Sequence, residues 1–263
     1  MASTGVSALR VEDPETVEQE AGRASVIKEV PQGAPWTMVE EAIFRRRSIR
    51  KYKRKQVPEH LIRRILEAGR FAPSQGNCQP WKFLVIRDAD MIQEMEDFCV
   101  EACKKLQRNL DYTQHPKGSF KRFTMRLLAR VFNRLQPKML HPVPVTAMTS
   151  IAQGRFAVFH KAPTVIVLLM NKRGIGTPEI DIGICGTNIV LAAQSLGLGT
   201  CWVGFSKFLG QNKQWRERLG VEEPYELVEA ITVGYPIGDP TRLIARDTPQ
   251  IAWFEGGRKQ ILY

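Results

Sequence analysis

A cluster of basic residues around a single serine is the most constraining feature of this sequence. Residues 45–52 read Arg-Arg-Arg-Ser-Ile-Arg-Lys-Tyr, and they follow a segment whose pattern predicts a helix. Guanidinium groups offer planar, forked N–H donors that match phosphate oxygens, and a serine hydroxyl adds a compact donor. The pattern therefore predicts a phosphate-binding segment. A solvated basic face at a helix end would have the same composition, because cations are favoured beside the last carbonyl groups of a helix.

Two further motifs belong with this cluster. Residues 72–83 read Ala-Pro-Ser-Gln-Gly-Asn-Cys-Gln-Pro-Trp-Lys-Phe and lead into a predicted strand. Later, Asp181-Ile182-Gly183 opens an apolar helix, residues 197–205 read Gly-Leu-Gly-Thr-Cys-Trp-Val-Gly-Phe, and Gly-Tyr-Pro stands at 234–236. Together these motifs resemble the signature of the FMN-dependent nitroreductase family. The resemblance covers roughly residues 37–100 and 155–255.

This resemblance implies a fold class, a cofactor and a reaction. The expected fold is α+β, a mixed central sheet flanked by helices, in a homodimer with FMN at the subunit interface. The expected enzyme passes hydride from NADH or NADPH through the flavin to an electron-poor small molecule, such as a nitroaromatic, a quinone or a conjugated carbonyl, in a ping-pong cycle. No side chain is predicted to be catalytic, because the flavin carries the redox chemistry.

Other functions within or beside this family stay open. One is a dehalogenase of the same fold, because a fold does not determine a reaction. Another is a flavin-binding carrier, or a reductase fed by an acidic redox protein. No recognised nucleic-acid motif accompanies the basic residues, so a nucleic-acid partner is not expected.

The resemblance also assigns cofactor-binding residues. The FMN phosphate and ribityl end is assigned to the basic cluster and to one of two later arginines: Arg46, Arg47, Ser48, Arg50, Arg246 and, as second choice, Arg242. The flavin ring is assigned to the second motif, contributed by the other subunit, and to the segment passing beneath the flavin: Pro73, Ser74, Gln75, Asn77, Thr200, Cys201, Trp202 and Gly204. Structural roles remain open for several of these, since Pro73 could end a helix, Trp202 could pack in the core and Gly204 could mark a turn.

The cysteines and the charge distribution limit which sites and partners the chain can have. The five cysteines form no Cys-x-x-Cys pair, so neither a disulfide framework nor a metal site is predicted, and a cytoplasmic protein with reduced thiols is expected. The net charge is +11, and residues 104–138 carry ten bases against one acid. This imbalance suggests that the basic segment is an interaction surface or a lid over the site.

Three regions are expected along the chain. Residues 1–35 mix Ser, Gly, Pro and Glu and predict a flexible arm, and residues 36–263 predict one FMN-binding domain. Within that domain, residues 111–150 form an insertion whose apolar and basic residues alternate at helical spacing. A lid over the site or the partner subunit is the favoured interpretation. Contact of residues 118–138 with an anionic membrane surface or an acidic redox partner is the alternative.

Periodicity and end signals predict the main elements. Thr37, with Glu40 three residues later, predicts a capped helix. Residues 164–170 are almost wholly apolar and β-branched, which is typical of a strand buried on both faces. Further helices are predicted after Pro58 and at residues 88–110, 181–196 and 213–219, and strands at residues 81–86, 200–205 and 227–233.

Overall fold

The computed structural model describes residues 36–110, 118–120, 123–124, 127, 142–238 and 250–261. The predicted arm at residues 1–35 and most of the predicted insertion, including most of the basic segment 118–138, lie outside the described residues. The described residues divide into two compact units, residues 36–46 with 250–261 and residues 47–238. The domain boundaries given above stay predictions.

The helices and strands are numbered in chain order. The helices are α1 (Met38–Arg45), α2 (Glu59–Arg70), α3 (Ala89–Leu110), α4 (Pro142–Ala152), α5 (Pro178–Ser195), α6 (Lys207–Gln211) and α7 (Lys213–Arg218). The strands are β1 (Trp81–Ile86), β2 (Thr164–Asn171), β3 (Gly199–Val203), β4 (Tyr225–Gly234), β5 (Ala252–Glu255) and β6 (Arg258–Ile261). Short 3₁₀ turns occur at Gln75–Asn77 and Gly204–Ser206.

The first unit contains α1 and the antiparallel hairpin β5–β6. Helix α1 begins with the predicted capping box: the Glu40 amide donates to the Thr37 hydroxyl, and the Thr37 amide donates to the Glu40 carboxylate at 2.8 Å. The rings of Trp36 and Phe44, on either side of this box, have centroids 4.8 Å apart. Both contacts fix where the helix begins.

The second unit is built on an antiparallel sheet with the strand order β1-β2-β4-β3. Among the described residues, one parallel pairing adds to it, an isolated bridge between Ser48 and Thr200 of β3. The Ser48–Tyr52 part of the basic cluster therefore runs beside the edge of the sheet. Helices and an antiparallel sheet in one unit confirm the predicted α+β fold class.

Strand β2 is an inner strand of the sheet, between β1 and β4, and both of its faces are apolar. Successive side chains of a strand point to opposite faces, and here Val165, Val167 and Leu169 pack with α3 residues such as Met95. The intervening side chains of β2 pack on the other side with α2 and α5, in a second core that includes Ile189. The prediction of a strand buried on both faces is confirmed.

Helices α2 and α5 approach each other closely at one point. A Cβ at Gly69 would lie 2.6 Å from Ile189 Cγ1, so α2 can pack at this distance only with glycine there. The other predicted helices and strands that fall within the described residues are present with ends shifted by a few residues, whereas α4, α6 and the hairpin β5–β6 were not predicted. The predicted amphipathic helix of the insertion lies mostly outside the described residues. Within the described part of the chain, no helix combines the length and the apolar character needed to cross a bilayer.

Candidate functional site

The middle of the basic cluster is anchored to β3 by backbone contacts. The Ile49 amide donates to the Thr200 carbonyl at 2.8 Å, next to the Ser48–Thr200 bridge. Gly199 makes this approach possible, because a Cβ there would lie 2.8 Å from Ile49 Cγ1. Ser48 and Arg50, on either side of Ile49, are exposed. Two of the predicted phosphate-binding residues are thus held at the edge of the sheet with their side chains accessible.

A buried tyrosine strengthens this anchor. The Tyr52 hydroxyl donates to the Ile49 carbonyl at 2.6 Å and lies 2.8 Å from the Thr232 hydroxyl oxygen. The Thr232 hydroxyl donates in turn to the Cys201 carbonyl at 3.2 Å. Burial raises the pKa of Tyr52 far above its usual value, so this hydroxyl stays neutral. Ile49 and Tyr52, both within the cluster, are therefore tied to β3 and to β4.

A histidine that sequence analysis did not identify lies close to the cluster. Burial, together with the positive charge of Arg50, lowers the pKa of His160 to about 4. His160 and the following Lys161 both have left-handed backbone conformations, with φ of 55° and 54°. The imidazole makes an edge contact with Phe156, with centroids 4.9 Å apart. Near Arg50 the protein thus keeps a neutral imidazole, and no motif marked this residue.

The second motif forms a tight loop before β1. Gly76, Asn77 and Gln79 have φ of 58°, 53° and 46°, and only for glycine is this conformation free of steric cost. The Gln79 amide donates to Ser74 Oγ at 3.0 Å, and the Gln79 side chain donates to Asn77 Oδ1 at 3.0 Å. The loop therefore presents a hydroxyl and an amide held by internal hydrogen bonds.

This loop rests on the first turn of α5. The Gln75 amide lies 3.4 Å from Asp181 Oδ1, and the Cys78 thiol lies 3.8 Å from Asp181 Oδ2. The Gln75 side chain packs against Gly176, where a Cβ would fall 1.6 Å from Gln75 Oε1. Pro73, Gln75 and Asn77 are exposed, so they can meet a ligand or another chain.

The basic cluster and the loop lie at opposite ends of β2 in one chain. At one end, the Asn171 amide donates to the Pro80 carbonyl just after the loop. At the other end, Thr164 pairs with Val233, which also pairs with Thr200 beside the cluster. Seven residue-to-residue steps along β2 lead from Thr164 to Asn171, a span of about 23 Å. A single chain therefore does not bring the two predicted parts of the site together.

The predicted flavin-contacting residues at the end of β3 differ in how far they are buried. Trp202 packs its indole on Gly186 of α5, where a Cβ would fall 2.2 Å from the ring, and Cys201 is buried. Gly204 is exposed at the end of β3, and a Cβ there would come no closer than 3.6 Å to its nearest neighbour, Glu229 Oε1.

Of the other arginines assigned to the phosphate, two lie where the two units meet in the sequence and two lie outside the described residues. Arg47 begins the second unit, Arg46 ends the first, and Arg242 and Arg246 lie outside the described residues. Among the described residues, no group of three or more His, Cys, Asp or Glu side chains is placed to hold a metal ion.

Comparison with known proteins identifies the family to which this chain belongs. A protein of Archaeoglobus fulgidus named as an NADH dehydrogenase/NAD(P)H nitroreductase is 26% identical over 74% of this chain and 83% of its own length. The 4-nitrobenzoate reductase of a Nocardioides species is 28% identical over 74% of this chain and 79% of its own length. A crystal structure of a nitroreductase with bound FMN from Desulfitobacterium hafniense covers 84% of this chain and all of the other, with a TM-score of 0.59 and 22% identity, and it shows the same fold. The sequence profile of the nitroreductase family matches residues 43–235, which is most of this chain, and the protein therefore belongs to the nitroreductase family.

Proposed function

We propose that this protein is an FMN-dependent oxidoreductase that takes hydride from NADH or NADPH and reduces an electron-poor small molecule. The observation that carries the proposal is the anchoring of Ser48–Arg50 against Thr200, which presents a hydroxyl and a guanidinium at the sheet edge. The names of the relatives and the FMN bound by the Desulfitobacterium protein support it.

The residues present fit FMN at both of its ends. A phosphate requires cationic and hydroxyl donors, and exposed Arg50 and Ser48 supply both. The pyrimidine edge of a flavin carries donors and acceptors, which suits the amide side chains of Gln75 and Asn77. Gly204 leaves space beside β3 where a ring can approach the backbone.

The chain's own groups bind and orient the flavin. When bound, FMN supplies the two-electron chemistry that no side chain of this chain provides. Ser48 and Arg50 hold the phosphate, while Ser74, Gln75 and Asn77 orient the ring. Ping-pong kinetics are expected, because the donor and the acceptor would react in turn with the same bound flavin. A nitroaromatic acceptor is favoured by the 4-nitrobenzoate reductase among the relatives.

The complete site takes its two parts from two chains. The separation of about 23 Å along β2 prevents the loop and the cluster of one chain from binding the two ends of the same FMN. Helix α5 supplies a contact surface, because Ile180, Gly183, Ile184 and Thr187 lie on one face and Ile180 is 59% exposed. The helix carries no basic residue and only two acids, both in its first turn. A second copy of this chain covers this face in the homodimer.

Mixing two defective variants tests this arrangement. Arg50→Ala removes the cation at the phosphate end, and Asn77→Asp replaces the amide at the ring end while keeping a residue that tolerates left-handed φ. Each homodimer then has two damaged sites. A mixed dimer has one site with both lesions and one site with neither.

The expected result is recovery of activity on refolding the two variants together, to about a quarter of the wild-type level after random pairing. Mixing Arg50→Ala with Ser48→Ala is the matched control, because both lesions lie at the same end and no intact site can form. Absence of recovery in the first mixture, with both variants shown to exchange subunits, would contradict the two-chain site.

A cytoplasmic location stays a prediction.

A further inference from the structure

Asp181 is a buried carboxylate in the first turn of α5. The sequence motif that contains it assigned no role to its side chain. The residue is 5% exposed, and its backbone amide donates to the Thr177 carbonyl within the first helical turn. A buried charge is unfavourable unless it is hydrogen-bonded. The N-terminal end of a helix also favours a negative charge. Asp181 is therefore placed where a carboxylate is tolerated, and its partners show what it does.

Both oxygens of this carboxylate face the loop at residues 74–79. Oδ1 lies 3.4 Å from the Gln75 amide nitrogen, and Oδ2 lies 3.8 Å from the Cys78 sulfur. These two positions lie on either side of Gly76 and Asn77, the first two residues of the loop with left-handed φ. One side chain thus contacts the loop before and after its sharpest bend.

The loop needs such support because its backbone is strained. A left-handed conformation costs a residue other than glycine about 1 kcal/mol or more, and both Asn77 and Gln79 adopt it. Strained conformations persist where neighbouring groups hold them. The internal hydrogen bonds of the loop join Ser74, Asn77 and Gln79 to one another, whereas Asp181 joins the loop to α5.

We propose that Asp181 is the positioning residue of the flavin-contacting loop: its carboxylate accepts from Gln75 and Cys78 and holds Ser74, Gln75 and Asn77 in the orientation that meets the ring. The assignment of this loop to the ring rests on the proposed function. Asp181 itself is directed at the loop, so it acts through these residues and does not touch the reacting atoms.

Three variants separate this role from a general structural one. Asp181→Ala removes both acceptors. Asp181→Asn keeps one oxygen for the Gln75 amide and removes the charge. Glu179→Gln is the matched control, because it removes an exposed acid from the same turn of α5 without changing a loop contact.

The first measurement is amide hydrogen exchange in the protein without flavin. Asp181→Ala is expected to speed exchange at the amides of residues 75–79 by about tenfold or more, because a hydrogen bond to a charged group is lost. Asp181→Asn is expected to stay within about threefold of wild type, and Glu179→Gln to match wild type. Unchanged exchange in Asp181→Ala, or equal effects of Ala and Asn, would overturn the proposal whatever cofactor the protein takes.

The second measurement uses protein loaded with FMN. Asp181→Ala is expected to shift the visible absorption band of the bound flavin and to slow its reduction by NADH or NADPH at saturating donor by about tenfold. FMN affinity should change by less than about threefold, because the phosphate is held by Ser48 and Arg50 and not by the loop. An unchanged band and rate alongside faster exchange would refute the effect on the ring. Failure of the proposed function is distinct: wild-type protein would then take up no FMN, or neither donor would reduce it.

Discussion

A methyl group added at Gly199 tests the contact that places the phosphate-binding residues. A Cβ at this position would lie 2.8 Å from Ile49 Cγ1 and 2.9 Å from both Ile49 Cβ and Cγ2. These atoms belong to the stiff base of a β-branched side chain, which cannot rotate away from the new methyl. Gly199 is in a strand and does not have a left-handed φ, so alanine meets no backbone strain. The segment containing Ile49 must therefore move.

The size of the effect follows from overpacking. Forcing a methyl into a packed site costs about 1–3 kcal/mol, so Gly199→Ala is expected to lower the free energy of unfolding by about that amount. Ser48 and Arg50 flank Ile49 and move with it. Loss of about 1.4 kcal/mol at the phosphate corresponds to a roughly tenfold rise in the Kd for FMN.

A double-mutant cycle with Ile49→Ala checks the mechanism. Denaturant unfolding and FMN fluorescence titration are measured on wild type, both single variants and the double variant. Ile49→Ala removes two of the clashing atoms, so the double variant should be more stable than the sum of the single effects predicts, by at least about 1 kcal/mol. Its FMN affinity should exceed that of Gly199→Ala, because only the contact with the residue 49 Cβ remains. Additive effects on stability, or wild-type FMN affinity in Gly199→Ala, would refute the reasoning.

Three other expectations concern groups that are buried or half-buried. The folded pKa of His160, about 4, lies below its unfolded value, so the unfolded state binds more protons between about pH 4 and 6.5. The free energy of unfolding should therefore fall as pH drops through this range, by about 1–2 kcal/mol after allowance for partial exposure, and urea titrations of His160→Asn should lose this component. Cys78 is half-buried and the other four cysteines are buried, so a thiol reagent should label one cysteine per folded chain, and FMN should slow that labelling. The Glu96 carboxylate accepts from the Val158 and Phe159 amides at 2.7 and 2.8 Å, so Glu96→Ala should destabilise the protein by about 1–3 kcal/mol in denaturant unfolding, while Glu96→Gln should recover part of the loss.

The parts of the fold that depend on local pattern could be predicted from the sequence. The apolar, β-branched run at Thr164–Met170 identified β2, because a strand that is buried on both faces is apolar at nearly every position. The Thr37–Glu40 capping box placed the start of α1. Helix ends elsewhere were shifted by a few residues, as fraying and short 3₁₀ turns blur them.

The parts that depend on long-range contacts could not be predicted from this single sequence. The hydrogen bond between Tyr52 and Thr232, 180 residues apart, has no local signal. The support that Asp181 gives to the loop likewise joins residues more than 100 positions apart. His160 carries no motif, and the burial and the Arg50 charge that lower its pKa follow from contacts between distant parts of the chain. The residues assigned to the flavin came from resemblance, whereas their grouping at opposite ends of β2 required the structure.

The most direct test of the central claim is an anaerobic titration of the purified, FMN-reconstituted protein with NADH and with NADPH, followed by visible absorbance. The account predicts that the protein binds FMN, that at least one donor bleaches the flavin at one equivalent per site, and that a nitroaromatic then restores the oxidised spectrum. A protein that binds no FMN, or whose bound FMN neither donor reduces, would contradict it.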